Sequence, residues 1–125
     1  MELELEISGD VVERQELLNG AQMVTLEGAS ADGAWTLSSI IGWNIGLESN
    51  AGEGDLTLAR VDGNELYGTV VSARVAERAG GFTLALRYEI DGGAGAFDAV
   101  AGSARAEVEL EQERFCGWWK LSVSA

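Results

Sequence analysis

Six aromatic residues occupy positions that β-strands would turn to one side: Trp35, Trp43, Tyr67, Phe82, Tyr88 and Trp119. Trp and Tyr join a large apolar body to one polar tip, so several on one face suit a polarised apolar guest. For any single aromatic, core filling is the commoner role, and it is their number that points to a site. Tyr67 and Tyr88 can donate hydrogen bonds to a substrate carbonyl and lower the energy of an electron-poor alkene. With Trp43 they form the expected catalytic set. The expected lining is Met23, Trp35, Ile41, Arg60, Thr69, Phe82, Leu86 and Trp119. Arg60 continues the alternation of Leu56 and Leu58, where it either binds an anionic group at a cavity mouth or snorkels to the rim.

Other chemistry is missing. The chain has no histidine, which removes the commonest general base and metal ligand together. Cys116 is the only cysteine, so neither a zinc-binding pair nor a redox pair exists. Gly92-Gly93-Ala94-Gly95 lacks the Lys-Ser/Thr ending of a phosphate loop and reads as a turn. No serine sits in a nucleophile-elbow sequence. Glu2, Glu4, Glu6, Glu107, Glu109 and Glu111 alternate with apolar residues and should face water. What remains is chemistry by shape, dipoles and one acid, with no cofactor and no metal.

Period-two alternation governs the elements that must position these residues. Strands are expected at Glu2–Ile7, Gln22–Gly28, Trp35–Glu48, from Leu56, from Tyr67 to Val75, Phe82–Ile90, Ala104–Leu110 and Phe115–Ser124. Val11–Leu18 reads as a short helix or lead-in. The Trp35 run is long enough to bend at Gly42 and Gly46, or to divide in two near Ser39–Gly42. Tyr67, Thr69, Val71, Ala73 and Val75 are expected on one face. Asp62-Gly63 and Gly80-Gly81 mark hairpin turns, and a glycine-rich turn is expected from Asp91 to Gly102. Consecutive hairpins with one apolar face favour an all-β domain: a single eight-stranded antiparallel up-and-down β-barrel, 1–125, around a central apolar cavity.

Composition narrows the partners. A net charge of −13 over 125 residues repels phosphate backbones and anionic lipid, so neither nucleic acid nor a membrane surface is an expected partner. The lone cysteine and the absence of a signal-length apolar segment lead to a cytoplasmic expectation. The expected partner is a hydrophobic small molecule. Trp118 beside Lys120, on the outer parity, leaves room for a homodimer.

The segment Tyr88-Glu89-Ile90-Asp91-Gly92-Gly93-Ala94-Gly95-Ala96-Phe97, continuing to Gly102, resembles the long hairpin of allene oxide cyclase-like and dirigent-like barrels. Gly54–Leu58, Asp62-Gly63 and Tyr67-Gly68-Thr69 look like the hairpin before it. With Glu16-Leu17-Leu18-Asn19-Gly20-Ala21-Gln22, the layout is most similar to β-barrel Diels–Alderases of spirotetronate and related polyketide pathways. The resemblance implies a cofactor-free cyclase making an intramolecular [4+2] ring from a linear polyketide-derived chain in antibiotic biosynthesis. Its alternatives are carbon–oxygen ring closure with an interior acid such as Glu27, and a non-catalytic lipocalin- or avidin-like binding barrel. A dirigent-type protein acting on a protein partner would need an apolar outer patch, against which the Glu-rich outer positions argue.

Overall fold

The computed structural model describes residues 1–16, 20–44 and 52–125. Eight antiparallel strands follow one another: β1 (Glu2–Glu16), β2 (Ala21–Ser30), β3 (Trp35–Asn44), β4 (Gly52–Arg60), β5 (Glu65–Arg78), β6 (Gly81–Ala94), β7 (Ala101–Leu110) and β8 (Arg114–Ser124). Each pairs with its sequence neighbour and β8 returns to β1, so the sheet closes as an up-and-down barrel. No helix among the described residues is long and apolar enough to cross a membrane.

Alternation fixes which wall each side chain faces. On β6, Leu84, Leu86, Tyr88 and Ile90 are buried while Ala85, Arg87 and Glu89 are exposed. On β7, Ala104, Ala106, Val108 and Leu110 alternate with exposed Arg105, Glu107 and Glu109. Small residues on β7 make room for large ones on either side: Ala106 stands opposite Trp119, and Ala104 opposite Tyr88. Likewise a Cβ on Gly28 would lie 2.8 Å from Phe115 Cζ, so the missing side chain admits that ring.

Three expectations change. Val11–Leu18 is not helical where described, because β1 runs on to Glu16 and pairs with β2 up to Gln22. The Trp35 run is one strand as far as Asn44, while Ile45 and Leu47 lie outside the described residues. The alternation of β5 breaks at a bulge, where Val70 and Ser72 face consecutive residues Tyr88 and Arg87 and Val71 is the extra one. Leu66, Gly68 and Val70 therefore face inward before the bulge, and Ala73 and Val75 after it.

Candidate functional site

The 30–35, 60–65 and 94–101 connections gather at one end of the barrel, here the lower end. The glycine-rich segment does more there than turn. Gly95 takes a φ of 68°, and a Cβ on it would lie 2.0 Å from Asn64 Oδ1. That Oδ1 accepts a hydrogen bond from the Ala96 backbone N–H at 2.9 Å. The 3-10 turn Gly95–Phe97 then drives Phe97 into the lower mouth, stacked on Trp35 at 6.3 Å between centroids. The Arg60 guanidinium covers both rings, 4.9 Å from Phe97 and 5.8 Å from Trp35, and pairs with Asp62 at 2.6 Å. Hydrogen bonds from Arg60 and from the Asn64 backbone N–H hold the Asp62 carboxyl down at about 2. Arg60 is thus a rim residue with its charge already engaged, not a free anion receptor.

Mid-height belongs to Tyr88. Its ring enters from β6 and its hydroxyl lies 3.3 Å from Ser39 Oγ on β3, across the lumen. Ser39 donates to the Asp55 carbonyl at 2.7 Å, so the Tyr88 O–H is the donor in the Tyr88–Ser39 bond. Burial pushes the Tyr88 phenol up to about 12, an effect the Ser39 hydroxyl and the nearby Trp119 indole only partly offset. Tyr88 therefore keeps its proton across the physiological range. Above it, Trp43 on β3 meets Phe82 on β6 edge-on at 5.8 Å. Side chains thus bridge the lumen at two levels, and room for a guest between them depends on their movement.

Two polar atoms stand out in this interior. The indole Nε1 atoms of Trp43 and Trp119 are buried without a hydrogen-bond partner among the described residues. Trp119 is 0% exposed, fixed edge-on against Phe115, and its indole lies near the Tyr88 hydroxyl without the geometry of a hydrogen bond. Each unpaired buried donor costs about 1–3 kcal/mol, a penalty that a purely structural core avoids by placing Phe or Leu.

The expected residues divide between the two walls. Trp35, Ile41, Trp43, Leu86, Tyr88 and Trp119 are buried inside, and Phe82 is half-buried at the upper end. Tyr67 is not in the lumen: it is 37% exposed and its hydroxyl donates to the Glu65 carboxylate. Thr69 also faces outward and donates to Asp91 at 3.1 Å. The β5 bulge accounts for both. Met23 takes the outward parity between inward Gln22 and Val24, opposite Gly42. Glu27 is exposed, and no carboxylate side chain among the described residues is buried, which removes the expected interior acid. Ser39 was missed, although a hydroxyl amid the inward Trp, Leu and Ile of β3 was its visible signal. Trp118 lies outside, half-buried, flanked in register by Glu6 and Glu107, so a second copy there would bring like charges together.

No family model, curated protein or solved structure matches the chain.

Proposed function

We propose that the barrel is a cofactor-independent cyclase that folds a linear, polyketide-like diene–alkene and closes it by an intramolecular [4+2] cycloaddition. The observation that carries this reading is the two buried indole donors, Trp43 and Trp119, which have no hydrogen-bond partner among the described residues, in a largely apolar lumen bridged by Tyr88. A guest carrying a carbonyl would offer an acceptor to either donor, and hydrogen bonding to that carbonyl would activate an adjacent alkene. The guest enters the upper half as Trp43 and Phe82 part, because Phe97 and Trp35 fill the lower mouth. Holding both reacting ends together converts lost chain freedom into rate, worth at most about 7–11 kcal/mol. No proton transfer is needed, in keeping with a histidine-free chain and with Tyr88 holding its proton. Carbon–oxygen ring closure loses support, since no interior carboxylate is present among the described residues.

One observation favours a second reading. The Tyr88 proton is already committed to Ser39, as befits a barrel that binds an apolar guest without transforming it. Incubation with an acyclic triene-ketone separates the two. The cyclase yields one ring diastereomer, and Trp43→Phe or Trp119→Phe slows it roughly tenfold or more, the scale of one hydrogen bond. Saturable quenching of Trp fluorescence without product establishes the binding barrel instead. If neither quenching nor product is seen, both readings fall.

A further inference from the structure

The chain carries eight cations against 21 carboxylates, yet three of the eight share one row on the outer wall. Arg87 on β6 stands directly opposite Arg105 on β7, and Arg105 directly opposite Lys120 on β8. Like charges facing each other across a ladder destabilise a sheet, and a chain so rich in carboxylates had ample means to avoid the arrangement. Lys120 is engaged, 3.0 Å from Glu4 and 5.2 Å from the Trp118 ring. The two arginines are not. The ion pairs among the described residues are Arg60–Asp62 and Lys120–Glu4, and neither includes Arg87 or Arg105. Glu89 and Glu107 face outward beside them on the same strands without closing onto a guanidinium.

A groove of about 700 Å³ runs over this row. Its walls include Val71, Arg87, Ser103, Arg105, Lys120 and Ser122. Val71 is the bulged residue of β5, 51% exposed, and raises the edge beside Arg87. On the far side, Glu89, Ser103, Ser122 and Glu2 form the next row in register, with hydroxyls at its centre and carboxylates at its ends. The pattern is a cationic floor bordered by two hydroxyls and enclosed by negative charge.

We propose that Arg87 and Arg105 bind a small oxyanion, a phosphate or carboxylate group of a low-molecular-weight ligand, on the outer wall of the barrel. Each guanidinium offers a planar fork of donors matched to an oxyanion, and one anion between two guanidinium groups cancels their repulsion. The surrounding negative field rejects long polyanions and leaves compact ones as ligands. The site is independent of the lumen and stands whatever the lumen does.

Thermal denaturation of the full chain in sodium phosphate, in sodium succinate and in sodium chloride of matched ionic strength tests the site, with Arg87→Gln and Arg105→Gln alongside. In chloride, either variant should melt no lower than the wild type, because the like-charge pair is gone. Phosphate or succinate should raise the wild-type Tm by several degrees over chloride, and whichever acts names the oxyanion class. Each variant should bind it roughly tenfold or more weakly, the loss of one charge-assisted contact. Equal shifts in wild type and variants, no shift beyond chloride, or variants that melt lower in chloride would each overturn the site. So would sedimentation showing that the oxyanion response is dimerisation, which would make a second copy the occupant.

Discussion

The two ends of the barrel are built from similar side chains and reach opposite outcomes. Below, Trp35 and Phe97 stack, Arg60 covers both rings, Asp62 anchors Arg60, and Asn64 pins the loop that delivers Phe97. The charged and amide groups in that description are partnered, Arg60 with Asp62 and Asn64 Oδ1 with the Ala96 N–H. Above, Trp43 and Phe82 meet edge-on, the Trp43 N–H has no partner among the described residues, and Phe82 remains half-buried. An aromatic pair stacked under a guanidinium that is itself anchored is a seal. One with an unpaired donor and a half-exposed ring is better suited to a door, so the two ends should respond differently to the same perturbation.

The largest effect should come from the seal. Phe97→Ala should cost about 3–5 kcal/mol, the range for truncating a buried Phe, and should leave the affinity of an apolar guest unchanged. Phe82→Ala should cost less, on the order of 1–2 kcal/mol for a half-buried ring, and should raise that affinity by widening the upper entrance. Urea denaturation combined with titration of an apolar fluorescent dye reads both quantities. Equal costs, or guest binding that responds to Phe97 and not to Phe82, would erase the distinction between seal and door.

Between the ends, the hydroxyl chain makes an asymmetric prediction. Ser39→Ala leaves the Tyr88 O–H buried without an acceptor and should cost about 1–3 kcal/mol. Tyr88→Phe leaves Ser39 still bonded to Asp55 and should cost only about 0.5–1.5 kcal/mol. Base should expose the same burial. Below pH 10 folded and unfolded chains both hold the Tyr88 proton, and its contribution to stability is complete. As pH rises from 10, the unfolded chain releases a proton that the fold retains up to about 12, so stability falls across that window. Tyr67, whose bond to Glu65 also raises its phenol, contributes with the same sign. The Tyr88 share is therefore the difference between wild type and Tyr88→Phe, which should lose less stability between pH 9 and 11. Parallel curves would contradict a buried, protonated Tyr88.

Most of the architecture was legible in the sequence, because burial on one face leaves a period of two that Leu84–Ile90 and Ala104–Leu110 carry without interruption. Reading failed where the period itself changed. Val70-Val71-Ser72 contains no glycine or proline to announce a bulge, and the inserted residue reverses the wall assigned to Tyr67 and Thr69. Met23 failed for a related reason: its short strand placed Gln22 and Met23 near an entry without showing which faced inward. The Gly-Gly-x-Gly-x-Phe segment was legible as unusual but not as a plug, since only the fold reveals that Asn64, some 30 residues earlier, receives it. Arg87 opposite Arg105 was invisible for the same cause, because register is a property of pairing and not of either strand alone.

The smallest expected change in stability is also the most pointed. Trp43→Phe keeps an aromatic ring against Phe82 and deletes the indole N–H. A donor with a hidden partner would make this change costly, by about 1–3 kcal/mol for the acceptor left behind. An unsatisfied donor makes it nearly neutral or slightly stabilising, because the burial penalty leaves with the N–H and only some packing is lost. Guest affinity should move the other way, weakening roughly tenfold for the loss of one hydrogen bond. A variant that is as stable as the wild type and binds an apolar ketone less tightly would mark Trp43 as a group kept for a ligand at some expense to the fold. One that loses stability and binds equally well would return the upper end to the same class as the lower.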